Sequence, residues 1–417
     1  MNKLSFAILL WAVGPASADD WPAFRGPHGD GRSKESRLPT TWGPDKNVKW
    51  KAALPQWGNG SPVVSRGRVF VTSAEDPEGR KRSLYAFDRK DGKQLWVRTV
   101  EVARTMPTHG TNGYCPTTPA ADGERVVVFE GVGGLRAYDY DGKPLWSREL
   151  GEFEHHWGDG ISPVIHDGKV ILHGGPGKSV FLAAFDATSG KTLWQVEEKL
   201  DGNGERNSDG KYTGSWCTPL ITTVGGRAQA VVVWPTRIVG VDVASGKIVW
   251  SCEGVRHKKG DLAYSSPIVS GDVLMVVGGF NGPSLGVRLG GAGDVTSTHR
   301  LWRIENQPQS IGSGIAVDGH FYVPMAGQNR IDCLDPKTGQ ALWQHRAEAA
   351  FWGSIVYGAG HAFVTDQQGT TLVFKPNPKA MDLVATNRLG EKCNATPALS
   401  DGQIFIRTFK ALYCIGE

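Results

Sequence analysis

The run Ser61-Pro62-Val63-Val64-Ser65-Arg66-Gly67-Arg68-Val69-Phe70-Val71 leads through Ser83-Leu84-Tyr85-Ala86-Phe87 to Asp88-Arg89-Lys90-Asp91-Gly92-Lys93-Gln94-Leu95-Trp96-Val97. Short apolar alternations separated by Gly turns read as four strands of one antiparallel sheet. Nothing between the turns has a helical period. The turn before the second strand recurs as Asp122-Gly123, Asp167-Gly168, Asp318-Gly319 and Asp401-Gly402, with variants Ser270-Gly271 and Ala359-Gly360. Asp-Gly suits a two-residue hairpin because both residues tolerate positive φ. The closing Asp-to-Trp segment recurs from Asp186 to Trp194, Asp242 to Trp250 and Asp335 to Trp343, and more loosely from Asp139 to Trp146.

Units open at Pro62, Pro119, Pro163, Pro219, Pro267, Gly314, Ser354 and Pro397, which makes eight. Repetition at this period means small sheets that lean on one another. The expected fold is all-β, an eight-bladed β-propeller of four-stranded antiparallel blades. The seventh unit is degenerate, with Asn377-Pro378 in place of the usual turn and no closing Trp. The eighth ends at Ala411-Leu412-Tyr413-Cys414-Ile415, one strand short, whereas Val48-Lys49-Trp50-Lys51 reads like Leu95-Trp96-Val97-Arg98. The N-terminal strand is therefore expected to complete the last blade, closing the ring and removing two exposed sheet edges. An open solenoid is the alternative and would leave those edges bare. The tryptophans at 50, 96, 146, 194, 250, 302 and 343 fall on the outer strands and read as packing between blades.

Residues 1–18 read as a signal peptide: Lys3, the apolar stretch Leu4 to Val13, and the small-residue site Ala16-Ser17-Ala18. Residues 19–46 form an N-terminal extension and 47–417 the propeller. Cleavage after Ala18 implies a periplasmic or secreted protein; no Cys marks a lipid anchor, and no later stretch is long enough for a transmembrane segment. The net charge of +4, without a basic cluster, argues against nucleic acid as a partner. A monomer is expected. The six cysteines include no CxxC and read as small buried residues, with a pairing among Cys115, Cys217 and Cys393 left open.

The chain resembles the PQQ-like (pyrroloquinoline quinone) repeat propellers. Their tryptophan-docking motif is similar to Ala86-Phe87-Asp88 through Gly92-Lys93 to Trp96, and to Ala184-Phe185-Asp186 through Gly190-Lys191 to Trp194. The leader Asp20-Trp21-Pro22-Ala23-Phe24-Arg25-Gly26-Pro27 looks like the extension of exported bacterial members of planctomycete type. The resemblance implies one of two functions. Quinoprotein dehydrogenases of alcohols or sugars hold PQQ and Ca²⁺ on the ring axis; BamB-like members bind proteins without a cofactor. The alcohol dehydrogenases carry a vicinal Cys-Cys pair, which this chain lacks. The resemblance assigns no catalytic residue and no metal ligand here. The expected function is a non-catalytic binding or scaffold module, with a protein partner or small ligand at the propeller face. A PQQ/Ca²⁺ dehydrogenase and a carbohydrate-binding propeller are the alternatives.

Equivalent positions of a ring of repeats share one radius and height. Residues just before each unit opening therefore mark one mouth of the central channel. The candidates are Trp57, Asn59, His109, Asn112, Tyr114, His155, His156, Trp157, Asp159, Trp216, Tyr264, Trp352, Lys392 and Asn394. They either plug the channel or form a platform for a planar or sugar-like ligand. Adjacent His155 and His156 would face opposite ways on a strand, against joint chelation of one ion. There is no P-loop, HExxH or GxSxG motif.

Overall fold

The computed structural model describes residues 20–417; the leader read at 1–18 lies outside them. Eight sheets of antiparallel strands follow one another around an axis. Blade 1 runs outward from Val63–Ser65 through Arg68–Ala74 and Lys81–Asp88 to Gln94–Glu101. Its two middle strands are buried on both faces, because neighbouring blades cover both. The outer strand alternates, which is why only there does the sequence show a polar face. Blade 8 is completed from the other end of the chain. Val48–Ala53 pairs with Ala411–Ile415, with Trp50 opposite Cys414 and Lys51 opposite Tyr413. The closed ring is therefore the observed form.

The hairpin turns behave as Asp-Gly predicts. Asp167, Asp318 and Asp401 have φ of 47°, 47° and 50°, each followed by a Gly with positive φ. Arg66 and Ala359 adopt the same conformation at a non-Gly cost. At Asp122-Gly123 only the Gly has positive φ.

Each outer strand carries a one-residue bulge just before its Trp. In blade 1, Ala86 faces Trp96 but Phe87 faces Gln94, so Leu95 is squeezed outward. The same slip recurs at Leu145, Leu193 and Leu342. These four leucines are among the few large apolar side chains that are exposed. The bulge twists the strand and re-aims the next side chain onto the following blade. There the indole Nε1 donates to a backbone carbonyl: Trp50 to Arg89 at 2.8 Å, Trp96 to Tyr140 at 2.9 Å, Trp146 to Ala187 at 2.9 Å and Trp194 to Val243 at 3.0 Å. Gly92 lies under the Trp50 ring, where an added Cβ would sit 2.5 Å from it. That is the physical reason for Gly in the closing motif.

Two seams depart from this pattern. Trp250 is fully buried and donates instead to Gln229 Oε1 at 2.8 Å. Its blade gains a fifth strand, Gly293–Asp294, laid parallel to Ile248–Glu253 by an insertion in blade 5. Blade 7 keeps the bulge, at Val384, but places Ala385 where Trp would stand. Its seam with blade 8 is filled by Trp42 of the N-terminal extension, which stacks on Phe363 at 6.4 Å and donates its backbone N–H to Asn387 Oδ1 at 2.9 Å.

The six cysteines are all buried and unpaired. Cys333 and Cys414 face Trp343 and Trp50, where other blades use Ala86 and Ala184. Burial pushes the Cys115 and Cys393 thiols up to about 12, which makes them poor nucleophiles.

Candidate functional site

A closed circle of hydroxyls defines the axis. The residue two places before each innermost strand is Ser or Thr, and its backbone N–H donates to the hydroxyl of the next blade. The circle runs Ser61 to Thr118, Ser162, Thr218, Ser266, Ser313, Ser354 and Thr396, then back to Ser61, with every step between 2.9 and 3.2 Å. This explains the Ser/Thr-Pro openings: the hydroxyl stitches blades, and Pro starts the strand. It also corrects one boundary. Ser354 belongs to the hydroxyl circle, so the seventh unit opens one residue later, at Ile355.

The residues two places before the circle form the wall above it. They are Asn59, Pro116, Gly160, Trp216, Tyr264, Ile311, Trp352 and Asn394, one from each of the eight blades. With Trp157, Asp159, His109, Thr111, Asn112, Phe280 and Gln309 they enclose a cavity of 330 Å³ open at one face. Phe24 of the N-terminal extension lies at its base, with the hydroxyls of Ser61, Thr118, Ser162, Ser354 and Thr396.

One half of the wall is aromatic. Trp157 stands 4.7 Å from Tyr212, 5.8 Å from Trp216, 6.3 Å from Tyr264 and 5.1 Å from Phe280, centroid to centroid. Two strands hold this half. Thr213–Ser215 and Asp261–Ala263 pair in parallel, delivering Trp216 and Tyr264 side by side, and Trp216 N–H donates to Ala263 at 2.8 Å. The indole of Trp216 also ties down Gly158 at 2.8 Å.

The other half is built of amides. Asn394 Nδ2 donates to Asn59 Oδ1 at 3.0 Å, and Asn59 Nδ2 donates to Asn112 Oδ1 at 3.0 Å. Asn112 Nδ2 then donates to the carbonyls of Trp157 at 2.8 Å and Asp159 at 2.7 Å. The relay fixes the Trp157 loop from behind. Asp159 lies 3.8 Å from the buried Arg82 guanidinium, whose Nη1 also donates to the Glu130 carbonyl at 2.6 Å. Burial raises the Asp159 carboxyl above the ordinary range, and Arg82 opposes that. The Glu130 carboxyl, buried behind them, is pushed up to about 8 by desolvation, only partly offset by Arg136 and Arg82.

Nine of the residues read as rim from the sequence line this cavity: Asn59, His109, Asn112, Trp157, Asp159, Trp216, Tyr264, Trp352 and Asn394. Five do not. Trp57 stacks on Phe409 at 5.0 Å, outside the lumen. Tyr114 covers Gly79 and lies under Arg82. His156 and Lys392 are exposed on the outer surface. His155 is fully buried beneath Trp157. Its Nδ1 accepts the Trp157 N–H at 3.1 Å, so Nε2 carries the proton toward the Thr213 carbonyl at 3.1 Å. Burial pulls this imidazole down to about 4. It is a neutral strut for Trp157, and its neighbour faces the other way.

Phe24, Phe280, Gln309 and Ile311 were not read as rim. Counting back two places from every Ser/Thr opening finds Pro116, Gly160 and Ile311. No sequence signal finds the other three, which arrive from remote loops.

The far end of the channel is shut. Trp21 pairs with Val64 and the Pro22 carbonyl takes the Ala121 N–H, so the extension crosses from blades 1 and 2 toward blades 5 and 6. There Arg25 is buried, donating to the carbonyls of Pro267, Gly314 and Asp30. Burial lowers this guanidinium to about 10, partly offset by Asp30. The chain then meets Tyr357 in blade 7 and Asp401 in blade 8.

The mouth fits the plane of pyrroloquinoline quinone but not its charge. That quinone is a tricarboxylate, yet no Lys or Arg is among the described lining residues and Asp159 adds negative charge. Calcium takes about six to eight oxygen ligands. Asp159 is the single carboxylate on the wall, and no group of three or more His, Cys, Asp or Glu gathers for a metal among the described residues.

The ring and its blind mouth define a class, the eight-bladed propellers with a tryptophan-docked repeat. A family model described as "Outer membrane protein assembly factor BamB" matches residues 37–114, 108–328 and 327–414, and the chain belongs to that family. It is 22% identical over 376 residues to the outer membrane protein assembly factor BamB of Burkholderia pseudomallei, covering 87% of this chain and 86% of that protein. Among solved structures, the quinohemoprotein alcohol dehydrogenase from Comamonas testosteroni superposes with a TM-score of 0.69 at 14% identity, over 96% of this chain and 81% of that one. BamB from Moraxella catarrhalis gives 0.56 at 16% identity, over 79% and 85%. At these identities the structures share the fold and nothing finer.

Proposed function

We propose that this protein is a non-catalytic binding module of the cell envelope, exported by its leader and acting as a monomer through the mouth of the channel. The observation that supports this most is the donor set of the mouth: six aromatic rings, Phe24 at the base included, and a hydroxyl floor, with one carboxylate and no Lys or Arg beside them. Such a surface binds and orients, but offers neither calcium ligands nor partners for a tricarboxylate. The named function of the assembly-factor relative, and the absence of any membrane-crossing helix among the described residues, favour an envelope scaffold. The quinoprotein likeness keeps the dehydrogenase as the competing reading.

The test is to titrate the purified mature chain with the quinone and Ca²⁺, following its absorbance and the dye-linked oxidation of alcohols and sugars. Absence of turnover is expected. Tight quinone binding with turnover reverses the proposal. Fractionation with N-terminal sequencing checks export, and a mature chain beginning at Asp19 is expected.

A further inference from the structure

We infer that the mouth recognises an uncharged, ring-shaped polyol, a neutral pyranose sugar; this rests on the mouth being a binding site, as proposed above. The argument starts at the floor. The hydroxyls of Ser61, Thr118, Ser162, Ser354 and Thr396 each accept one backbone N–H, and among the described residues none donates its own proton to a protein acceptor. The floor thus presents hydroxyl donors that are committed to nothing. The amide half presents the reverse. Both Nδ2 protons of Asn59, of Asn112 and of Asn394 are spent inside the protein, and each Oδ1 already accepts one amide proton, from Asn394, Asn59 and Gln367 in turn, so this half has no donor left and one acceptor lone pair per carbonyl. A ligand must therefore donate to one side and accept from another. Hydroxyl groups do both.

The aromatic half adds a shape requirement. Trp157, Trp216, Tyr264 and Trp352 are half-buried, so each shows part of its ring to the lumen. A pyranose has an apolar C–H face that lies against such rings while its rim of hydroxyls stays free to hydrogen-bond. A volume of 330 Å³ sits at the small end of ligand clefts and suits one or two sugar rings. Charge narrows the class. Asp159 is offset by Arg82 at 3.8 Å, so the mouth carries little net charge to hold either an anion or a cation. An aromatic cage with one carboxylate is otherwise suited to a quaternary ammonium, so choline is the decisive competitor. The uncommitted floor hydroxyls have no use for that cation.

The experiment is a titration of the mature chain with neutral mono- and disaccharides, polysaccharide fragments, choline and the quinone, read by tryptophan fluorescence and calorimetry. Saturable binding of a neutral sugar is expected, weakened roughly tenfold or more by Trp157→Ala. Asp159→Asn preserves volume and provides a second variant; a roughly tenfold loss is expected, measured below the melting temperature of the variant because the substitution also takes the carboxylate from the buried Arg82. Co-sedimentation with insoluble polysaccharide, competed by the free sugar, identifies a chain end as the source; failure to co-sediment identifies the free sugar. No sugar response, or one insensitive to both variants, overturns the inference. A choline response lost in Trp157→Ala overturns it too, while leaving the mouth a binding site. Turnover with the quinone overturns both this inference and the non-catalytic reading.

Discussion

At one end of the axis the extension crosses the channel with Phe24 and Arg25, leaving a 510 Å³ cavity beside it, and the guanidinium donates to backbone carbonyls of blades 5 and 6. At the other end the same ring of strands holds an aromatic wall and a hydroxyl floor open to solvent. The difference lies in where the residues come from. The closed end is supplied by a segment outside the repeat, whereas much of the open end is supplied by the repeat itself, one position per blade. A single extension therefore turns a through-channel into a blind cup without altering any blade. Substitutions at the closed end should act on stability, and those at the open end on ligand.

The largest effect is expected from Arg25→Ala. It strands the carbonyls of Pro267 and Gly314 and leaves a void on the axis, for a loss of about 3–5 kcal/mol in urea unfolding. A loss below about 1 kcal/mol would mean the segment merely rests on the ring. Trp42→Ala should cost about 3 kcal/mol by the same measurement, since Trp42 fills the seam that blade 7 leaves without its own docking Trp. Trp157→Ala at the open end should cost less, about 1–2 kcal/mol, because the ring is half exposed. A loss as large as that of Trp42 would make the aromatic wall a second plug rather than a binding surface.

The remaining effects are in pH. His155 and His173 are both held down to about 4 by burial. The unfolded chain therefore takes up protons that the folded one refuses, and stability falls as pH drops from about 6.5 toward 4. Glu130 has the opposite sign. Raised to about 8, it stays protonated in the fold after the unfolded chain has ionised, so stability falls as pH rises from about 4.5 through 8. Glu130→Gln should remove that alkaline loss, seen as a flatter pH dependence in melting curves run at several pH values.

The blades were legible because their signals are local and repeated. Asp-Gly turns, docking tryptophans and Ser/Thr openings each recur within a few dozen residues. The hydroxyl circle was visible as a motif, and Trp216, Tyr264, Trp352, Asn59 and Asn394 follow from counting back along it. Blade 2 defeated the count. Its entry loop is longer, so Tyr114 looked like the rim residue while Pro116 holds the place. Trp57 failed for a related reason: one strand position further from the circle, the chain turns outward onto Phe409. Phe24, Arg25 and Phe280 were illegible because their positions depend on contacts far along the chain. Trp250 shows the limit from the other side. Its motif is intact, but its target blade lacks the matching turn, and the indole folds inward.

The join between Val48–Ala53 and Ala411–Ile415 has a consequence for the order of assembly. Synthesis from the N-terminus makes Val48–Ala53 long before Ala411–Ile415 exists. The first strand has no partner until the last blade is made, whereas the plug ahead of it meets blades 1 and 2 early. Truncation by a few residues at the C-terminus removes the partner of that first strand, and is expected to unseat the beginning of the protein.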